Sequence, residues 1–343
     1  MTSNQSTNLS FGETLNLRAS HYFKSQSRGH LATPLFYIKA LGLLTLFFFA
    51  YTRFVFYTSE FSGLLIWALV LGICHVFIPV NIAHDAIHRS ISSSPWVNSI
   101  ALLGFDLTGG NSYMYKKKHL EAHENKENGS KTAAIESQGL IMQKNDRESK
   151  KNLHFSLYLF YSIYMIFVRD FLLFLDKSEH PPLHEYLKLI IFKSFYFISF
   201  LIFPFIFIPL NWPLIVASLF FMYLCITVVL VIILLMPTEK MENSRNQDVG
   251  VPNDKWLIEV LNHNVDFSPK SKFLNLLAGG ANLNVVHYIF PNANHVHYNA
   301  LAKIIKSTSK EFGITYREQK VLDVFSIHFN YIRHIQETES NSV

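Results

Sequence analysis

Four long apolar runs divide this chain, and the polar stretches between them differ greatly in length. From Pro34 to Tyr57 only Lys39 and Arg53 are charged, and from Phe61 to Ala83 only His75 can carry a charge. Leu189 to Leu210 contains the single charge Lys193, and Pro213 to Met236 contains none. A helix needs about 20 residues to cross the hydrocarbon layer, so each run suffices. Apolar residues bunched in this way, and not spread at helical or strand period, argue for membrane spans over a soluble core. The pattern predicts an all-α integral membrane fold, with four transmembrane helices in two hairpins at about 34–57, 61–83, 189–210 and 213–236.

Shorter features fill the spaces between the runs. Trp96 to Gly110 is apolar but too short to span easily, and its end at Thr108-Gly109-Gly110 predicts a re-entrant or interfacial piece followed by a new helix. Residues 124–152 are rich in Lys, Glu and Asn and read as a polar loop with helical patches. His154 to Leu175 is apolar enough to tempt a fifth span, but Arg169 and Asp170 favour an amphipathic helix lying in the interface. Asp254 to Phe267 reads as a helix stopped by Ser268-Pro269, and Phe273 to Val286 as a second helix carrying Gly279 and Gly280. Residues 299–336 read as one or two amphipathic surface helices. The expected organisation is an N-terminal segment, 1–33, a single membrane domain, 34–336, and a polar tail, 337–343.

Charge then sets an expected orientation. The turn between the first two spans carries Glu60 and no Lys or Arg, and the turn around Asn211-Trp212-Pro213 carries no charge. Lys116, Lys117, Lys118, Lys126, Lys131, Lys144, Arg147, Lys150 and Lys151 all fall in the long connection between the hairpins. By the positive-inside rule both termini and that connection face the cytoplasm. The formal charge of +5 is then mainly a topology signal with some attraction to anionic headgroups, and it does not imply nucleic acid. The two cysteines, Cys74 and Cys225, both lie inside expected spans, so a metal here would need nitrogen and oxygen ligands.

Histidine supplies the candidate chemistry. His84-Asp-Ala-Ile-His88 and His119-Leu-Glu-Ala-His123 each place two imidazoles one helical turn apart on one face. A third cluster holds His287, His295 and His297. All three lie at or beyond the ends of apolar runs, on the expected cytoplasmic side. A single such pair is more often a satisfied structural pair, and His119 and His123 alone could be a solvated face among Lys116 to Lys118 and Glu121. Two pairs on one side shift the balance toward metal. Asp85 is placed to accept a hydrogen bond from a ligand ring, and Glu124 adjoins His123 as an oxygen donor. His287 is the strongest candidate of its cluster, with Asn284 one turn before it; His295 and His297 read as surface residues, and His75 as structural.

With these motifs on view, the chain resembles the membrane fatty acid desaturase family, in particular the bacterial front-end type similar to linoleoyl-CoA desaturases. The resemblance runs from about Tyr22 to Ile335. It is carried by the two His pairs, by Asp106-Leu-Thr-Gly-Gly-Asn-Ser-Tyr-Met-Tyr, by Val265-Asp-Phe with Gly279-Gly280, by His287-Tyr-Ile-Phe-Pro291 and His295-Val-His-Tyr298, and by Lys310-Glu-Phe-Gly-Ile-Thr-Tyr316. It implies a cytoplasmic helical cap carrying the histidine boxes and a centre of two iron ions held by about eight histidines. The chain departs from that pattern. The second box ends in His123-Glu124 where two histidines are expected, and the third reads Asn284, Val, Val, His287-Tyr288 in place of Gln, two residues, His-His. Two further family histidines align with Glu259 and Met236.

The resemblance therefore implies an oxygen-dependent oxidoreductase that desaturates an acyl chain in the bacterial inner membrane. His84, His88, His119, His123 and His287 are the implied iron ligands, Glu124 and Glu259 carboxylate ligands, and Asp85, Asn284 and Tyr288 groups that orient them, with no catalytic side chain beyond the metal site. The substrate would be an acyl-CoA, acyl-carrier or acyl-lipid, and electrons would come from an external ferredoxin-like or haem protein. Carboxylate and phenol donors favour harder, more oxidised iron, which makes hydroxylation an alternative outcome. A catalytically inactive relative that binds lipid or a partner, and an oxidase of a specialised metabolite, are the other readings.

Overall fold

A computed structural model of the chain describes residues 9–127, 160–235, 254–323 and 326. The chain forms two compact units, Pro34–Leu234 and Met1–Thr33 with Leu235–Val343. In chain order the helices are α1 (Phe11–Lys24), α2 (Pro34–Phe56), α3 (Phe61–Ile87), α4 (Pro95–Leu102), α5 (Ser112–Glu127), α6 (161–175), α7 (Leu183–Phe207) and α8 (Trp212–Leu235). They continue with α9 (Lys255–His263), α10 (Lys272–Leu277), α11 (Asn284–Ile289) and α12 (Tyr298–Glu311). Two short strands, β1 (Asp266–Phe267) and β2 (Glu318–Gln319), pair in parallel.

In the first unit, α2, α3, α7 and α8 are the described helices long and apolar enough to cross a membrane, in agreement with the four expected runs. Ile38, Leu41, Ile66, Ile190, Ile191 and Ile206 on them are exposed, as lipid-facing side chains are. α3 is longer than its apolar run and continues through the first His pair. Pro79 lacks an N–H, and from Pro79 to Ala83 the turn widens so that the His84 N–H reaches the Pro79 carbonyl, five residues back. α7 widens likewise over Ile198–Ile202, just before Pro204, and Tyr51 of α2 donates to the Ser199 carbonyl there at 3.0 Å. Gly72 lets α8 approach α3, because a Cβ at that position would stand 2.7 Å from the Cys225 Cβ.

Several polar groups inside this unit meet partners on neighbouring helices. His75 Nδ1 meets the Leu71 carbonyl at 2.7 Å and its Nε2 meets the Tyr196 hydroxyl at 3.2 Å, which accounts for both ring nitrogens and supports its structural reading. The Lys193 ammonium is 2.8 Å from Asp170 and donates to the carbonyls of Gly109 at 2.6 Å and Ile166 at 2.5 Å. Arg169 lies 2.9 Å from the other Asp170 oxygen. Gly109 (φ +83°) is required for this contact, since a Cβ there would stand 2.8 Å from the Tyr196 ring. α6 docks on α8 through Ser162, which donates to the Tyr223 carbonyl at 2.8 Å and accepts from Thr227.

The second unit is built on apolar side chains of α1, α9, α11 and α12: Leu15, Leu261, Val285, Val286, Leu301 and Ile305 are fully buried. α1 opens on a reciprocal cap between Ser10 and Glu13, and its Arg18 pairs with Glu311 of α12. Asp254 accepts from the Gly12 N–H at 3.0 Å, joining the start of α1 to the start of α9. Two expectations are corrected here. The helix expected from Asp254 to Phe267 stops at His263, and Asp266 and Phe267 enter β1 instead. The helix expected from Phe273 to Val286 is two, because Gly279 (φ +57°) and Gly280 (φ +80°) adopt left-handed backbone that breaks it. Met236, residues 128–152 and the tail at 337–343 lie outside the described residues.

Asp170 pairs with both Arg169 and Lys193 and is fully buried. Replacing it with Ala leaves two buried cations facing each other, an expected loss of about 3–5 kcal/mol. Thermal unfolding of the detergent-purified Asp170→Ala variant checks this; a midpoint equal to that of the parent would show that the pair carries no structural load.

Candidate metal centre

The first His pair stands at the C-terminal end of α3. The widened turn from Pro79 to Ala83 resets the helical register immediately before His84. Arg89 (φ +54°) ends the helix, while the Ser90 N–H and hydroxyl both donate to the Asp85 carbonyl at 3.1 Å. Asp85 is buried between the two histidines. On the α2 side, Lys39 donates to Asn81 at 2.8 Å, one turn before His84.

The second pair is carried by α5, whose start is fixed by polar contacts. Asn111 accepts from the Met114 N–H at 2.9 Å as N-cap, Asp106 accepts from the Ser112 N–H at 3.2 Å, and Lys188 of α7 donates to the Ser112 hydroxyl at 2.5 Å. Further along, Lys117 and Lys118 both pair with the buried Glu179, so two lysines of the basic run hold α5 in place. Tyr115, stacked on Phe105 at 4.1 Å, lies parallel to the His119 ring at 6.1 Å.

The end of α3 and the middle of α5 bring four imidazoles together. Ring nitrogens of His84, His88 and His119 lie within 4.8 Å of one another. His88 Nε2 and His119 Nε2 are 2.9 Å apart, and His123 Nε2 is 3.2 Å from His119 Nε2. Burial first, and then the neighbouring imidazoles, hold His88 and His119 well below the ordinary histidine range. Both rings are thus neutral, the form that donates a lone pair to a metal. Cis ligands on an ion with bonds of about 2.1 Å stand about 3 Å apart, the separation found here, so the residues fit a transition metal.

The remaining sequence-predicted residues sit as follows. Glu124 is on α5 beside His123, and its side chain lies outside the described residues. In the second unit, His287 is buried on α11, and its Nδ1 is 3.1 Å from the Tyr298 hydroxyl. Asn284 donates to Asn264 at 2.9 Å. Tyr288 has its phenol pushed up to about 12 by burial and stays protonated. Glu259 is half-buried on α9, where its carbonyl meets His263 Nδ1 at 2.9 Å. His295 and His297 are buried, a correction to their reading as surface residues. His297 contacts the Tyr22 hydroxyl through Nδ1 and the Leu31 carbonyl through Nε2, at 3.0 and 2.9 Å, because α1 and the segment after it cover this turn. Sequence reasoning quoted Asp106, Asp266 and Tyr298 as motif residues without finding their roles; each is a polar residue that ends up buried, a state that alternation along the chain does not reveal.

A family model described as Fatty acid desaturase matches residues 59–320. The chain belongs to the fatty acid desaturase family. It is similar to a protein named sn-1 linoleoyl-lipid 6-desaturase from Synechocystis sp., 28% identical over 326 residues that cover 90% of each chain. A protein of the same name from Arthrospira platensis is 27% identical over 90% of this chain and 87% of its own. An acyl-lipid (8-3)-desaturase of Physcomitrium patens is 24% identical over 94% of this chain and 71% of its own. The expected family is therefore confirmed, and with it a desaturase-like oxidoreductase of lipid metabolism embedded in a membrane.

In the second unit of this desaturase, Asp266 has its carboxyl pushed up from 3.8 to about 7 by burial, against hydrogen bonds from Tyr316 and the Val285 N–H. A carboxyl with a raised pKa takes up a proton on folding, so its contribution to stability falls as pH rises from about 4 to about 7. Melting curves across that window should show a decline in the parent that Asp266→Asn lacks; parallel curves for the two proteins would refute the assignment.

Proposed function

We propose that this desaturase holds two iron ions and removes two hydrogens from a methylene pair of an acyl chain carried on a membrane lipid. The observation that carries this reading is the convergence of four imidazoles from the end of α3 and from α5, neutral at His88 and His119. The proposed ligands are His84, His88, His119, His123 and His287, with Glu124 and Glu259 as carboxylate donors. When bound, reduced iron supplies the oxygen activation that an unactivated C–H bond demands. The acyl-lipid substrate is suggested by the names of the similar proteins, and an acyl-CoA or acyl-carrier remains the alternative carrier.

The chain's own residues do the positioning. Asp85 and Asn284 orient ligand rings, and Tyr288, held as a neutral phenol, donates a hydrogen bond and does not act as a phenolate ligand. The apolar faces of the four spans, in two hairpins beneath a cytoplasmic helical cap, hold the acyl chain away from water. The Lys-rich connections support termini and a metal site on the cytoplasmic face of a bacterial inner membrane, where an external ferredoxin-like or haem protein would deliver electrons.

The test joins metal and product analysis. Anaerobic iron loading of the detergent-purified protein should give two irons per chain, with a loss of at least about 100-fold in affinity for His119→Ala and His287→Ala. Fatty acid methyl esters from cells expressing the parent should carry a new double bond that both variants abolish. A hydroxylated product would redirect the chemistry, and a parent that takes up no metal would leave a lipid-binding relative.

A further inference from the structure

Helix α11 presents a problem of precision. With six residues, it is too short to hold its own axis in water, so the direction of His287 depends on what anchors the helix and the ring. The anchors come from motifs for which the iron reading has no use. Asp266, fully buried at β1, accepts from the Val285 N–H at 2.7 Å and so ties down the start of α11. Tyr316 donates to the other Asp266 oxygen at 2.5 Å, and β2 pairs alongside. Val285 and Val286 are fully buried beneath the helix. The axis is therefore fixed through Asp266 and the two buried valines.

The ring is fixed separately. His287 Nδ1 lies 3.1 Å from the hydroxyl of Tyr298, the first residue of α12, and Tyr298 is itself only 2% exposed. Gly280, at φ +80°, makes room for that phenol: a Cβ there would come within 2.6 Å of the Tyr298 ring. The turn that precedes Tyr298 is held by Asn294, which accepts from the Val296 N–H, and by both ring nitrogens of His297. A phenol set this firmly constrains the imidazole and is not carried along by it.

We propose that Tyr298 is a positioning residue that accepts the Nδ1–H of His287 and so fixes the ring as the tautomer that offers its Nε2 lone pair to metal. The inference rests on the iron reading above and deepens it. It gives to Tyr298 the orienting role that sequence placed on Tyr288, the immediate neighbour of His287. A buried phenol opposite Nδ1 does what a carboxylate or carbonyl does behind other metal-bound histidines: it selects the tautomer and the ring angle.

The test uses the full chain in detergent, labelled with nitrogen-15 histidine and kept metal-free, with His287→Ala to assign the resonance. The parent should show His287 protonated at Nδ1 and unprotonated at Nε2. Tyr298→Phe, which keeps the ring packed against Gly280, should yield a mixed or reversed tautomer. In the same variant cobalt(II) affinity should fall about 10- to 100-fold while the melting temperature stays near that of the parent. A parent His287 protonated at Nε2 would overturn the proposal without any variant, and so would an unchanged tautomer in Tyr298→Phe. A tautomer that shifts as expected in Tyr298→Phe, where the parent binds neither iron nor cobalt, would support the positioning contact while sinking the iron reading.

Discussion

Lys193 carries an ammonium into the apolar interior of the membrane unit, and the surroundings of that charge organise much of what lies around it. In hydrocarbon, a charge without partners is prohibitively costly, so the chain brings Asp170 from α6 and two backbone carbonyls, Gly109 and Ile166, to one point. One of those carbonyls belongs to the glycine turn that precedes α5. The same α7 sends Lys188 to Ser112 at the first turn of α5. The helix that carries His119 and His123 is thereby tied to a spanning helix through charged and polar contacts, which are directional where lipid-facing apolar packing is not.

The second constraint is chemical. Imidazoles bind metal only when neutral, and neutral imidazoles crowded at 2.9 to 3.2 Å need either a shared proton or a common ion. Burial depresses the basicity of His88 and His119, and the neighbouring imidazoles depress it further, so the cluster that creates the crowding also supplies lone pairs. The widened turn at Pro79 belongs to the same arrangement: it resets the helix by a residue just before His84, and without it the first pair would leave α3 at another angle. A helix defect that lowers local regularity thus aims ligands, as such defects often do at functional sites.

The spans and the first two His pairs were legible because their signals are local. A run of apolar residues and an i, i+4 spacing need no tertiary information, and α2, α3, α7 and α8 lie where the runs predict them. In sequence, Gly279 and Gly280 look like passengers in a helix, because a glycine pair says nothing about φ until its neighbours are known; the Tyr298 ring is what makes Gly280 obligatory. His295 and His297 were read as surface residues because they follow a proline in a polar stretch. α1 and the segment after it, 275 and 266 residues away in sequence, supply the hydroxyl and carbonyl that meet His297.

The sequence by itself determined that this protein lives in a membrane, belongs among the desaturases and carries paired histidines at the ends of its apolar runs, since hydropathy and short spacings are properties of consecutive residues. Tertiary structure alone decided which polar groups support those histidines: Glu179 under Lys117 and Lys118, Asp266 at the start of α11, and Tyr298 behind His287. The physical reason is that a buried polar group must find its partner wherever the fold places one, and no periodicity in the chain records the distance to a partner 60 or more residues away, as Glu179 is from Lys117.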